Sequence, residues 1–144
     1  WVSPLKRCRQ TADLLFPGME QRIVPDLQEC DFGDYECKTW EELKDEEIYR
    51  AWIGGDMTVT FPHGESMEHF IARCRRGIQT VAQEAKAMGL QRPAIVAHGG
   101  TWLVVMGTFG RPERKLYDWQ VKNCGGFRVS VQENPFTLKL LEEL

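Results

Sequence analysis

The fold turns on the stretch Ala94-Ile95-Val96-Ala97-His98-Gly99-Gly100-Thr101. Its four leading apolar residues, with no polar interruption, predict a short strand covered on both faces, as in parallel sheets flanked by helices. His98 then stands at the strand's carboxyl end, where open α/β sheets bind ligands. Gly99 and Gly100 allow close approach of backbone to a ligand, and the helix predicted from Thr101 offers free N–H groups to an anion. By position alone, His98 is equally a structural histidine bonded beneath a turn.

Working outward, Ser3-Pro4 reads as a helix start, with Leu5, Cys8, Ala12 and Leu15 at helical spacing before Pro17-Gly18. A short strand is predicted around Ile23 and Val24, then a polar loop over residues 28–38. Thr39-Trp40-Glu41-Glu42 has the form of a capping box opening one helix, with Trp40, Leu43, Ile48, Ala51 and Trp52 as its apolar face and Gly54-Gly55 as its stop. Ser66 caps the longest predicted helix, striped by Met67, Phe70, Ile71, Cys74, Ile78, Val81, Ala82 and Ala85 and closed at Gly89. After the helix that ends near Gly110, a short helical stretch surrounds Leu116. Phe127, Val129, Val131 and then Phe136, Leu138, Leu140 alternate as two strands joined at Glu133-Asn134-Pro135. This order predicts an α/β fold: three layers, a mostly parallel sheet flanked by helices, and a single domain over residues 1–144.

Bulk properties fit that reading. The chain has 144 residues, 42% hydrophobic and 27% charged, with net charge −3, which argues against a nucleic-acid partner. No apolar run approaches the roughly 18–20 residues that cross a bilayer. Cys8, Cys30, Cys37, Cys74 and Cys124 show neither disulfide nor zinc spacing, and residues 1–15 lack a signal-peptide layout. Reduced thiols and a cytoplasmic location are expected. The opening Trp1-Val2-Ser3-Pro4 reads like the tail of a strand, so residues upstream are expected.

Four groups of residues bear on chemistry. Arg7 falls in the first turn of a helix, where its planar fork suits a phosphate, although an arginine there is more often a solvated charge. Arg73, Arg75 and Arg76 lie off the apolar stripe and read as solvated. The loop from Asp26 to Glu36 interleaves acids with aromatics, a setting that can raise one carboxyl's pKa for general-acid work. His63-Gly64-Glu65-Ser66 places polar groups before a helix; His63 and His69 have no third ligand at metal spacing, so no metal is expected.

Together these segments resemble the histidine phosphatases of the phosphoglycerate mutase-like superfamily. Ser3 to Ala12 resembles the segment that supplies a phosphate-pocket arginine. Glu29 with Phe32-Gly33-Asp34-Tyr35-Glu36 resembles the proton-donor loop, Pro62 to Ser66 the lid motif, and Val96-Ala97-His98-Gly99-Gly100 the strand end with the second histidine. Cys37 stands where the family usually has glycine. The lid region and the Asn123-Cys124-Gly125-Gly126 turn look similar to α-ribazole phosphatases.

The resemblance implies a phosphoglycerate mutase-like fold lacking its first strand and helix. The family's Arg-His-Gly tripeptide, which carries the nucleophile, does not occur in the sequence. It implies hydrolysis of a small phosphorylated metabolite through a phosphohistidine. His98, Glu29 and Arg7 would be catalytic, with Glu36 in reserve for Glu29, and Arg7, Ser3, Gly99, Glu65 and Ser66 would bind phosphate. No cofactor or membrane is implied, and these residues alone are expected to be inactive. An open sheet edge suggests a homodimer. A phosphoglycerate mutase-type transfer and a non-catalytic phosphate-binding domain are the alternatives.

Overall fold

A computed structural model describes all 144 residues, Trp1–Leu144. Contacts group the chain into two compact units, residues 1–29 with 73–144, and residues 30–72. No helix is long and apolar enough to cross a membrane.

In the first unit, Val2 forms parallel bridges with Ile23 on one side and Val96 on the other. Val96 N–H donates to the Trp1 carbonyl at 3.0 Å, and Ser3 N–H to the Val96 carbonyl at 2.9 Å. Helix α1 (Lys6–Leu15) follows, and Val2, Cys8 and Ala12 form a buried cluster against which Val96 packs. The helix starts later than the Ser3-Pro4 signal suggests, with Leu5 as N-cap. Ser3 Oγ takes the Leu5 N–H only at 3.4 Å, because the hydroxyl is engaged by His98. Leu15 is not part of the buried stripe; it is exposed.

The segment 94–97 is less covered than its composition implies. It forms one bridge residue, Val96, with Ala94 exposed and residues 95–97 half-buried. Its backbone pairs along one edge, to Trp1–Ser3, and a strand bonded on one edge buries only part of its surface. The apolar run specified the extended conformation; neighbours decide burial.

α4 spans Met67–Ala87, its first turn closed by the Ser66 hydroxyl accepting the His69 N–H at 3.1 Å. At its far end Gly89, at φ +67°, donates to Lys86 and Leu90 donates to Ala85, a Schellman closure. Met67, Phe70, Cys74, Ile78, Val81 and Ala85 are buried as the stripe requires. Arg73 is buried too, contrary to its reading as a solvated charge. Gly77, one turn on, lets the segment at Asp26 and Leu27 approach the helix closely.

α5 covers Gly99–Phe109 with His98 as N-cap, two residues before the expected start. It leads into β1 (Gly110–Arg111), a pairing the sequence did not disclose because two residues carry no periodicity. β2 (Phe127–Glu133) and β3 (Phe136–Glu143) form the expected hairpin. The small mixed sheet has order β1-β3-β2, with β1 parallel and β2 antiparallel to β3. Edge-to-face pairs Phe109–Phe136 and Trp119–Phe127 lie over it, at 4.8 and 5.6 Å.

The second unit holds α2 (Trp40–Leu43) and α3 (Glu47–Ile53). The capping box is present, but the single helix expected from Thr39 to Gly54 is broken. Lys44 and Glu46 N–H groups turn back onto Trp40 and Leu43, and the Glu46 carboxylate takes the Tyr35 hydroxyl at 3.4 Å. Trp40 consequently lies exposed, while Trp52 joins Phe32, Tyr49, Tyr35 and Phe61 in an aromatic cluster.

Gly77→Ala tests the packing of α4. In a helix interior the change ordinarily stabilises by about 1 kcal/mol. Here an added Cβ would sit 2.9 Å from Leu27 Cδ2 and 3.0 Å from Asp26 Cβ, with Leu27 fully buried. Overpacking of this kind costs roughly 1–3 kcal/mol. The urea midpoint, followed by circular dichroism, is expected to fall; a rise would show that the contact yields freely.

Candidate functional site

His98 is 7% exposed and is gripped on both ring nitrogens. Ser3 Oγ lies 2.6 Å from Nε2, and Arg7 Nε donates to Nδ1 at 3.3 Å. With Nδ1 accepting, the network assigns the ring proton to Nε2, which donates it to the Ser3 oxygen. The Cys8 sulfur sits 3.4 Å from Nε2 and donates its proton to the Ala97 carbonyl at 3.3 Å. Local sequence makes this possible. The bridge from Val2 to Val96 sets Ser3 beside His98, and α1 then carries Arg7 and Cys8 past the ring.

Burial, with Arg7 and Arg73 adding positive potential, pushes the His98 pKa from 6.5 down to about 4. The imidazole is therefore neutral at physiological pH and acts as a hydrogen-bond donor, not as a cation. Burial also pushes the Cys8 thiol up, against the opposing pull of Arg7, so it stays protonated. Arg7 itself is exposed, and its two terminal nitrogens have no protein partner. They are ready for an anion.

Glu29 approaches the start of α5. The Gly100 N–H donates to Glu29 Oε2 at 3.3 Å, and a Cβ on Gly100 would lie 2.5 Å from Oε1 and push the carboxylate aside. Behind it, Arg73 donates to the carbonyls of Asp26 (3.2 Å), Gln28 (2.6 Å) and Glu29 (2.9 Å). Thr101 Oγ1 reaches the Leu27 and Gln28 carbonyls at 3.4 Å. Gly99 opens α5 and is exposed, with nothing within 4 Å of where a side chain would point.

Ser3, Arg7, Glu29, His98 and Gly99 thus belong to one compact unit and, with Gly100, lie around the α5 N-terminus. Glu65 and Ser66 belong to the other unit, where each has local work. Glu65 Oε1 pairs with His69 Nδ1 at 2.5 Å and its Oε2 takes the Asp31 N–H at 3.4 Å, while Ser66 caps α4. Glu36 lies there too, accepting the Phe32 N–H at 3.0 Å.

Sequence reasoning missed Arg73 and Cys8. The signal for Arg73 was its spacing: three residues after Phe70 and four before Gly77, on a helix face where a glycine interrupts good helix formers. The terminal nitrogens of Arg7 and the N-terminus of α5 are donors of the kind that can bind an oxyanion, with a neutral imidazole and one carboxyl beside them.

A family profile described as the histidine phosphatase superfamily (branch 1) matches residues 1–144. An adenosylcobalamin/alpha-ribazole phosphatase of Salmonella typhimurium is 30% identical, over 96% of this chain and 70% of the relative. The alpha-ribazole phosphatase structure from Shigella flexneri superposes with a TM-score of 0.72 at 27% identity, over 97% of this chain and 70% of that one. A phosphoglycerate mutase structure from Thermus thermophilus gives 0.68 at 28% identity, over 100% and 71%.

The depressed His98 pKa has a stability consequence. Between pH 6.5 and about 4 the unfolded chain binds a proton that the folded chain refuses. Stability is fully present above that window and declines as pH falls through it. The denaturant midpoint should drop from pH 7 to pH 4, and His98→Gln should remove part of that slope. An identical slope in the variant would show that His98 does not titrate as described.

Proposed function

We propose, for a chain that belongs to the histidine phosphatase superfamily (branch 1) and has its phosphoglycerate mutase-like α/β fold, hydrolysis of a small phosphorylated metabolite. The observation that carries this reading is the Arg7 bond to a buried, neutral His98 at the N-terminus of α5, where Glu29 takes the Gly100 N–H.

The transfer has two steps. A nucleophilic histidine, contributed by a segment outside these 144 residues, attacks phosphorus, so that a P–N bond forms as the ester P–O bond breaks. Glu29 gives its proton to the departing oxygen. Water then attacks the phosphohistidine, Glu29 takes a proton from it, and phosphate leaves with the histidine restored. The absence of an Arg-His-Gly tripeptide supports the external nucleophile, as does a span of about 70% of the relatives.

Arg7 and His98 hold equatorial oxygens as charge redistributes in the transition state. Arg7 offers its terminal nitrogens. His98 keeps its Nε2–H on the Ser3 hydroxyl and acts on the phosphate through it. Because these donors are already fixed, little reorganisation accompanies the reaction. The α5 N-terminus adds the exposed Gly99 N–H. An α-ribazole 5′-phosphate-like ester is the favoured substrate, supported by the relatives' names and by the lid and turn motifs. A mutase-type transfer is the second reading, favoured by the Thermus thermophilus likeness.

Turnover of p-nitrophenyl phosphate tests the assignment in a longer gene product containing this chain. Arg7→Lys keeps a charge but loses both the Nε bond to His98 and the planar fork. It is expected to lower kcat/KM by about 10²–10³-fold. The 144 residues alone should show no enzyme-rate turnover; if they do, the external nucleophile is wrong.

A further inference from the structure

Arg73 is the one charged side chain of α4 that the fold buries, and nothing in the proposed chemistry uses it directly. It lies on the same face as Gly77, where the absence of a side chain lets Asp26 and Leu27 come against the helix. Its guanidinium gathers three acceptors from the segment that ends at Glu29, the carbonyls of Asp26, Gln28 and Glu29, at 2.6–3.2 Å. Two neighbours hold the same segment. Arg76 grips the Asp26 carboxylate through Nε and Nη2 at 3.3 and 3.2 Å, and Thr101 Oγ1 faces the Leu27 and Gln28 carbonyls from α5. Part-buried carbonyls turned away from solvent need such donors.

We infer that Arg73 is a positioning residue that fixes the Asp26–Glu29 backbone, and through it the Glu29 carboxyl against Gly100 beside His98. The inference rests on the reading of Glu29 as proton donor to the leaving oxygen. A planar fork suits this task because it reaches several carbonyls in a set geometry with one side chain. An ammonium supplies the charge without that geometry. The charge of Arg73 also contributes to keeping His98 neutral, so replacing arginine by lysine separates position from potential.

Because Arg73 acts through Glu29, its effect depends on how much the leaving oxygen needs a proton. Glycerol phosphate, an alkyl ester, leaves as a strongly basic alkoxide; p-nitrophenyl phosphate leaves as a weak base. In the longer gene product, Arg73→Lys should lower kcat on glycerol phosphate by about 10- to 100-fold, a part of what general-acid catalysis supplies. On p-nitrophenyl phosphate the loss should stay within about 3-fold, with KM little changed on either ester. In a Glu29→Gln background the Arg73→Lys effect should vanish, since the two act as one unit. Thr101→Val, nearly isosteric, should shift the ratio of the two substrates the same way if Arg73→Lys does not fold. Equal losses on both esters, or additive effects with Glu29→Gln, would overturn the inference. If the unmodified protein turns over neither ester, the phosphatase reading fails instead. Amide exchange at Gly100 then decides the clamp alone: faster exchange in Arg73→Lys supports it, and unchanged protection rejects it.

Discussion

A buried hydrogen bond, from His98 Nε2 to the Ser3 hydroxyl at 2.6 Å, fixes everything nearby. It joins residues 95 positions apart, one at the end of the first bridge segment and one at the cap of α5. The hydroxyl engaged there serves α1 poorly as a cap, and the helix begins only at Lys6. Arg7 lies in the first turn of that helix, where its Nε completes the grip on the ring. The local cost at the helix end is offset by a ring held in one tautomer and one orientation.

Positive charge around the ring is distributed with a consequence for its protonation. Burial removes the water that would stabilise an imidazolium, while Arg7 bonds the ring and Arg73 adds its positive potential. The histidine stays neutral and donates. A protonated ring would add a third cation to this cluster, whereas the neutral ring lets Arg7 stand close with its terminal nitrogens unspent. Glu29 accepts the Gly100 N–H at the same helix end. Helix terminus, guanidinium and imidazole therefore present donors of compatible charge, and a single acid is kept at hand.

Much of the architecture was legible because it depends on local patterns. The stripe from Met67 to Ala85, the Gly89 closure and the Thr39–Glu42 box all operate within a few residues. So does the hairpin from Phe127 to Glu143, whose alternation follows the pleat. The readings that changed involve partners distant in sequence. Thr39 to Gly54 reads as one helix until Tyr35 meets Glu46. Ala94–Ala97 reads as a covered strand, but coverage requires neighbours that periodicity does not name. Of the candidate site, His98 and Arg7 stood out because strand ends and helix starts are visible in the chain, and Glu29 was set apart from the other acids of its loop by the family resemblance alone; Arg73 did not stand out, since hydropathy treats a buried arginine and a solvated one alike.

By itself, the sequence determined the long Ser66-capped helix, the hairpin, the glycine-flanked histidine and the family resemblance, because each is encoded in spacing over a few residues or in short motifs. Only the tertiary structure decided which nitrogen of His98 carries the proton, that Ser3 serves the ring in preference to the helix, and that Arg73 turns inward to the Asp26–Glu29 carbonyls. The physical reason is that protonation and buried hydrogen bonding depend on distance and dielectric. Those are set by residues tens of positions apart that meet only when the chain has folded.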